Sequence, residues 1–102
     1  MGTADKALYG GLIRLHILHH AAHEPIFGLG IIGELARHGY KLSPGTVYPL
    51  LEGLERQGYL RSSRTQEAGR IRRVYRATPQ GRRALRQSKQ RVKELFGELL
   101  ED

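Results

Sequence analysis

The chain has 102 residues and a formal net charge of +7 at pH 7, so it is long enough for one domain and its field attracts polyanions. It contains no cysteine, which excludes disulfide bonds, thiolate metal sites and cysteine nucleophiles. No apolar segment reaches the roughly 20 residues that a membrane-spanning helix needs, and no secretory signal is evident, so we expect a cytoplasmic protein with no membrane partner.

The first predicted element is a long helix over residues 4–22. Its apolar residues recur at helical spacing, and it is expected to end before Pro25, because the residue that precedes a proline is disfavoured in a helix. The recurring residues are Leu8, Leu12, Leu15 and Leu18.

Two shorter helices are predicted next. The first covers residues 29–38 and ends at Gly39, a left-handed cap; the second covers residues 43–57, with Ser43 as N-cap followed by a first-turn proline. Pro49 inside this third helix predicts a kink or an irregular first turn, since proline lacks an amide donor. One face of the helix is apolar and carries Val47, Leu50, Leu51 and Leu54.

The rest of the chain predicts a β-hairpin and a last helix. The strands are expected at residues 59–65 and 71–77, with Gly69 supplying a positive φ between them, and the Thr78-Pro79 pair is typical of a helix start. The predicted fold is therefore mainly α with a small antiparallel β-hairpin. We divide it into residues 1–78 and a C-terminal helix over residues 79–102.

Positive charge is concentrated in the hairpin and the last helix. Eleven basic residues and one acid lie between Arg61 and Arg91, and ten of the eleven are arginine. A charge run is commonly only a solvated surface, but the arginine fork matches phosphate oxygens and guanine edges. The asymmetry therefore favours a nucleic-acid partner.

The order helix, turn, helix, basic hairpin, helix is that of a winged helix-turn-helix. In that arrangement the third helix enters the major groove of double-stranded DNA, and the hairpin, or wing, lies on the backbone or the minor groove. The predicted DNA-binding residues are Lys41, Ser43, Gly45, Thr46, Tyr48, Arg64, Arg70, Arg72 and Arg73. Two of them have an alternative role that involves no DNA: Ser43 could serve only as the helix cap, and the Tyr48 ring could fill the core.

One string of residues is similar to a known family. Residues 12–85, and above all the Ser-Pro-Gly-Thr-Val-Tyr-Pro-Leu-Leu string at residues 43–51, resemble PadR-like transcriptional regulators. The resemblance implies a homodimer on a palindromic operator, with the last helix packed against the partner's first helix, and a repressor released by a small-molecule effector. The chain departs from the family at Phe27-Gly28-Leu29, where many members have His-Gly-Tyr.

The last helix carries an apolar seam of the coiled-coil kind. Such a seam on a projecting helix favours burial in a homodimer, and the alternative is that the helix folds back on its own domain. The predicted dimer interface comprises Leu8, Leu12, Leu15, Leu85, Val92, Leu95, Phe96 and Leu99.

Histidines cluster in the second half of the first helix. His16 and His20 are four residues apart, as are His19 and His23, a spacing that can hold one metal ion between two imidazoles. His16, His19 and His23 project around Leu12, on the inward or interface face. Ordinary packing, a pH-responsive interface and a metal site all stay open. Packing is favoured, so no metal and no cofactor is assigned.

Other functions are less well supported by the sequence. We expect no enzyme, because no serine has an evident base near it and no carboxylates are paired. The main alternative is a winged helix for protein–protein contact or for non-specific coating of nucleic acid. An aromatic cage for an effector would have to draw on Tyr9, Phe27 and Phe96.

Overall fold

The computed structural model describes residues 3–101 and has four helices and a three-stranded antiparallel sheet, as a winged helix requires. Among these residues no helix is both long and apolar enough to cross a bilayer. The elements are α1 (Thr3–His23), β1 (Ile26–Phe27), α2 (Gly28–Arg37), α3 (Pro44–Arg56), β2 (Leu60–Glu67), β3 (Arg70–Ala77) and α4 (Pro79–Glu101). The predicted helices and hairpin are confirmed within one or two residues at most ends.

The helix ends follow the predicted local rules in most cases. Gly39 has φ +91° after α2, and Gly58 has φ +86° after α3, both in the left-handed region that favours glycine. The Thr78 hydroxyl accepts a hydrogen bond from the Gly81 amide at 2.9 Å, so the predicted cap of α4 is confirmed. Ser43 occupies the N-cap position of α3, but its side chain makes no capping hydrogen bond.

α3 differs from the expected irregular helix. It continues as α-helix from Pro44 through Pro49 to Arg56. The amides of Thr46 and Val47 both donate to the Ser43 carbonyl, at 3.0 Å each, so the first turn is bonded through the backbone. The helix is anchored by its apolar face, which is buried at Val47, Leu51 and Leu54.

The sheet contains a strand that the sequence pattern did not predict. β1 pairs with β3 through Ile26 opposite Tyr75 and Phe27 opposite Val74. β2 and β3 pair around a two-residue turn, Ala68-Gly69, in which both residues have positive φ, 50° and 77°. That conformation matches a type I′ hairpin turn, so the turn is shorter than the five residues expected and both strands are longer.

The inward face of α1 is not the leucine stripe. Ile13, Ile17 and Ala21 are the buried residues of that face, together with Leu18, whereas Leu8 is 72% exposed and Leu12 is 41% exposed. The helix therefore has a core face and a second apolar face that stays on the surface of the protomer. His19 and His23 are exposed, so the inward position is excluded for these two, and the alternative that they lie on an interface face stays a prediction.

α4 is packed at its start and exposed at its end. Gly81 lies against the Tyr59 backbone, where an added Cβ would come within 2.1 Å of the Tyr59 carbonyl oxygen, so no other residue fits there without a shift. Leu85, one turn later, is buried. From Arg91 onward every described side chain is exposed, and the molecule measures 54 × 31 × 21 Å. The helix therefore projects from the domain and does not fold back on it.

Candidate nucleic-acid interface

The first turn of α3 presents a small polar surface. Ser43 and Gly45 are exposed and Thr46 is half-buried, and the Ser43 and Thr46 hydroxyls lie 3.4 Å apart. Lys6 on α1 donates to the Thr46 hydroxyl at 3.5 Å, which brings a cation to the helix start that sequence reasoning missed. Hydroxyls, a lysine and the positive end of a helix dipole together form a surface suited to a phosphate or a base edge.

The orientation of this turn is set by the buried side of α3. Because Val47, Leu51 and Leu54 face the core, the opposite side of α3 faces outward, and Ser43 and Gly45 of its first turn are exposed. Lys41, in the segment that leads to the helix, is also exposed. The predicted contacts of α3 are therefore on the surface side of the helix.

Tyr48 is neither a freely exposed DNA contact nor a core residue, the two roles that the sequence suggested for it. It is 40% exposed, and its ring lies so close to the start of α2 that a Cβ on Gly28 would be 2.4 Å from Tyr48 Cε1. Tyr48, Phe27 and the exposed residues Arg70, Ile71, Arg72 and Arg73 line a groove of about 300 Å³. The groove joins α3 to the wing, so Tyr48 is placed between the two predicted DNA-contacting elements.

The wing carries like charges directly opposite each other. Arg64 is paired in register with Arg73, and Arg61 with Arg76, and all four are exposed. Like charges opposite each other on a sheet are destabilising, and a bound polyanion would remove that cost. The Arg72 guanidinium carbon lies 5.3 Å from the centre of the Phe27 ring, a cation–π contact that holds it beside the groove.

The base of the wing is tied to α3 by a carboxylate that the sequence did not identify. Glu55 accepts hydrogen bonds from the Ser62 amide at 2.9 Å and from the Ser62 hydroxyl at 2.7 Å. These hydrogen bonds lower the pKa of Glu55, and the positive charge of Arg73 lowers it further, although partial burial opposes the shift. The bond fixes β2 against α3 and so sets the angle between helix and wing.

One of the basic residues between Arg61 and Arg91 forms a hydrogen bond within the chain. Arg82 donates to the carbonyl oxygen of Ala22 at 2.8 Å, near the C-terminal end of α1. A cation at that end of a helix is favourable, because the last carbonyls are unpaired and carry partial negative charge. The contact accounts for one of the basic residues at the start of α4 without a nucleic acid.

The predicted interface residues form a second surface, away from the wing. Val92, Leu95, Phe96 and Leu99 on α4 are between 42% and 61% exposed. Leu15 is half-buried and Leu85 is buried within the protomer, so these two support the surface from below. Leu12, Leu15, Val92 and Phe96 line a groove of about 450 Å³ between α1 and α4.

The structure does not bring the three candidate aromatic residues of an effector cage into one cavity. Phe27 lines the wing groove and Phe96 lines the groove between α1 and α4. Tyr9 lies 6.1 Å from Tyr40, measured between ring centres. These side chains therefore belong to separate parts of the protomer.

Comparisons with known proteins agree on one family. The model of the Transcriptional regulator PadR-like family matches residues 17–87 of this chain. Transcriptional regulator Rv3488 of Mycobacterium tuberculosis is 52% identical to it over 88 residues, which cover 86% of this chain and 82% of that protein.

Solved structures give the same result. A PadR family transcriptional regulator from Eggerthella lenta is similar with a TM-score of 0.80 and 32% identity, over 97% of this chain and 90% of that chain. A PadR-like transcription factor from Bacteroides fragilis has a TM-score of 0.81 over 98% of both chains, and at 24% identity it supports the fold alone.

Proposed function

This chain belongs to the PadR-like family of transcriptional regulators, and from that premise we propose that it binds a palindromic operator as a homodimer and represses transcription. The observation that carries the proposal is the combination of two surfaces on one protomer. An exposed polar helix start lies beside an exposed arginine wing, and an apolar stripe projects on α4. The first surface suits DNA, and the second suits another copy of the chain.

α3 is the proposed major-groove element. Its first turn carries Ser43, Gly45 and Thr46 on the outward side, with Tyr48 one turn further along. Small polar side chains at a helix start allow the backbone to approach base edges closely, and hydroxyls accept or donate hydrogen bonds there. We assign base reading to this turn and backbone contact to Lys41.

The wing is the proposed backbone and minor-groove element. Arg64, Arg70, Arg72 and Arg73 are exposed, and among the side chains that the structure describes neither Arg72 nor Arg73 forms an ion pair with a carboxylate. Arginines in that state are available to phosphates, and their contribution to affinity is largely independent of sequence. The wing would then strengthen binding to DNA of any sequence, while α3 would distinguish the operator sequence from others.

Dimerisation is proposed through α4 and the outer apolar face of α1. Leu8 and Leu12 on α1 and the apolar residues of α4 after Leu85 are exposed in the protomer. A second copy related by a twofold axis would cover both faces and would present two recognition helices to the two halves of an inverted repeat. Repression by occupancy of an operator needs only these DNA-binding and dimer surfaces.

An effector, if apolar, would bind in the groove between α1 and α4. That groove is lined mainly by apolar side chains, including Leu12, Leu15 and Phe96, and it lies where the proposed dimer forms. A ligand there would change the spacing of the two recognition helices, and so the affinity for the operator.

The test is selection of binding sites from a random duplex library at physiological salt, with native mass measurement of free and bound protein. We expect an inverted repeat with half-site centres about one helical turn, ~34 Å, apart and two chains per site. Enrichment of no sequence, with binding that disappears as salt rises, would indicate the non-specific coating alternative and overturn the proposal.

A further inference from the structure

Three histidines from two helices meet at the junction of α1 and α2. His16 and His20 lie one turn apart on α1, and His38 follows the last residue of α2 at its C-cap. One ring nitrogen from each of the three lies within 4.8 Å of the others. The sequence indicated only pairs within α1, because His38 reaches the cluster through the packing of α2 on α1.

The rings are arranged around a common centre. His16 and His38 are stacked with ring centres 4.6 Å apart, and the His20 and His38 ring centres are 6.3 Å apart. His16 and His20 are half-buried, whereas His38 is exposed and its ring can rotate towards the other two. The cluster is therefore open to solvent on one side and supported by the protein on the other.

A carboxylate lies beside the three rings. Glu34, one turn before His38 on α2, has Oε2 3.8 Å from Nε2 of His20. Its other oxygen, Oε1, accepts a hydrogen bond from Arg37 at 2.8 Å, which leaves Oε2 facing the cluster. This carboxylate can compensate the charge of a cation bound by the histidines.

We propose that His16, His20 and His38 bind a divalent transition-metal ion of the zinc type, with the Glu34 carboxylate as the balancing charge next to it. Imidazole nitrogens suit Zn²⁺ and its first-row neighbours, whereas Mg²⁺ and Ca²⁺ require oxygen ligands. Zinc–nitrogen bonds of about 2.0–2.1 Å in a tetrahedral site place the nitrogens about 3.3 Å apart. The three nitrogens lie within 4.8 Å of one another and reach that spacing by a contraction of up to about 1.5 Å, which small rotations of the three rings supply.

The other histidine pair on α1 does not offer such a site. Nδ1 of His23 lies 2.8 Å from the His19 carbonyl oxygen and is engaged with the backbone. Within the part of the chain that the structure describes, no third ligand joins this pair in a cluster as compact as the first. His23 is therefore a suitable control position on the same helix.

The ion would join α1 to the end of α2, just before the segment that leads into α3. The hydrophobic core around Ile13, Ile17 and Leu35 is formed without it, so the metal is expected to add stability to a chain that already folds. Binding is a property of the protomer alone. It is measured without DNA, and its failure would leave the proposed function untouched.

The experiment uses the full chain without a histidine tag, treated with a chelator and then dialysed. Addition of Zn²⁺ to about 100 times its dissociation constant is expected to raise the melting temperature by about 10 °C. Co²⁺ is expected to give the strong visible absorption of a tetrahedral nitrogen-bound ion. An unchanged melting temperature together with no cobalt spectrum would overturn the proposal.

Three variants locate the site. His38→Gln removes an exposed ligand at a helix end and is expected to weaken Zn²⁺ binding at least about 10-fold, and Glu34→Gln about 10-fold. His23→Gln should bind as the unaltered chain does. Retained affinity in His38→Gln, or an equal loss in His23→Gln, would overturn the assignment, and retained affinity in Glu34→Gln would remove the carboxylate from it.

Discussion

The wing and the end of α4 both project from the same small core, but they expose opposite chemistry. The wing presents Arg64, Arg72 and Arg73, while the tail of α4, residues 91–101, presents a stripe that includes Leu95 and Leu99. Water solvates the arginines well, although they repel one another, whereas an apolar stripe of this length is poorly tolerated by water. The difference indicates a polyanionic partner for one region and an apolar partner for the other.

The two regions are also held in different ways. The wing is tied down at its base by strand pairing with β1 and by the hydrogen bonds between Glu55 and Ser62. Within the part of the chain that the structure describes, the tail makes no such bonds, and it depends on the packing of Gly81 and Leu85 at the start of α4. Substitutions in the two regions should therefore affect different measurable properties.

The largest effect is expected from charge in the tail. Leu95→Glu combined with Leu99→Glu places two carboxylates in the apolar stripe, so the dimer should dissociate and operator affinity should fall at least about 100-fold, or about 2.7 kcal/mol. Analytical ultracentrifugation and a DNA titration measure the two losses.

The matched control adds the same charges to another side of the helix. Gln87→Glu combined with Gln90→Glu changes two exposed polar residues and should leave the dimer intact. If both double variants lose the dimer equally, or if neither does, the tail is not the dimer surface.

The next largest effect is expected from the wing. Arg72→Ala combined with Arg73→Ala should weaken binding to operator and random duplex alike by about 10-fold, and should reduce the salt slope of log affinity by about 4, because the dimer loses two arginines from each protomer. The dimer should persist. Binding titrations at several salt concentrations check this.

The control for the wing removes two charges from the tail. Arg91→Ala combined with Lys93→Ala deletes two exposed cations from α4 and should change the salt slope little. An equal reduction of the slope in both variants would mean that net charge, and not the position of the wing, attracts DNA.

A smaller effect is expected at the anchor of the wing. Glu55→Gln keeps an acceptor but removes its charge, so the free energy of unfolding at pH 7 should fall by about 1 kcal/mol. Because folding lowers the pKa of Glu55, its contribution is complete above the ordinary value of 4.5 and is lost as the pH falls through the folded value.

The measurement is therefore urea denaturation of both proteins at pH 7 and at about pH 3, where the difference between them should shrink. Glu52→Gln is the control, an exposed carboxylate on the same helix. A difference that stays constant with pH would exclude the charge of Glu55 as its cause.

The smallest effect is expected at the groove between α3 and the wing. Gly28→Ala puts a methyl group against the Tyr48 ring, which must swing away, so DNA affinity should fall about 3-fold while stability changes by less than about 1 kcal/mol. Gly30→Ala, which meets nothing within 4 Å, is the control. DNA titration and thermal denaturation separate the two effects, and unchanged affinity in Gly28→Ala would remove Tyr48 from the contact.

Local signals in the sequence were sufficient for most elements. Gly39, Gly69 and the Thr78-Pro79 pair act through the backbone conformation of their own neighbours, and all were predicted correctly. β1 was missed because two residues give no alternation pattern, and the strand exists only through pairing with Tyr75 and Val74.

The candidate interface also has features that local sequence predicts and features that depend on contacts between distant elements. The order of elements and the concentration of arginines predicted α3 and the basic wing in the order that the structure shows, because both are properties of short segments. The Lys6 contact with Thr46 and the Glu55 contact with Ser62 were missed, since each joins different elements. The exposed position of Tyr48 depends on Gly28, which lies twenty residues earlier.

Composition, helix ends and turn glycines thus specified the winged-helix order and its basic wing, because each acts over a few residues along the chain. The sequence did not determine that Ile13 and Ile17 form the core face of α1, because both sides of that helix are apolar; the packing of the helices decides it. The meeting of His38 with His16 and His20 required the packing of α2 on α1. Contacts between residues far apart in sequence depend on how the elements pack, and no local pattern encodes them.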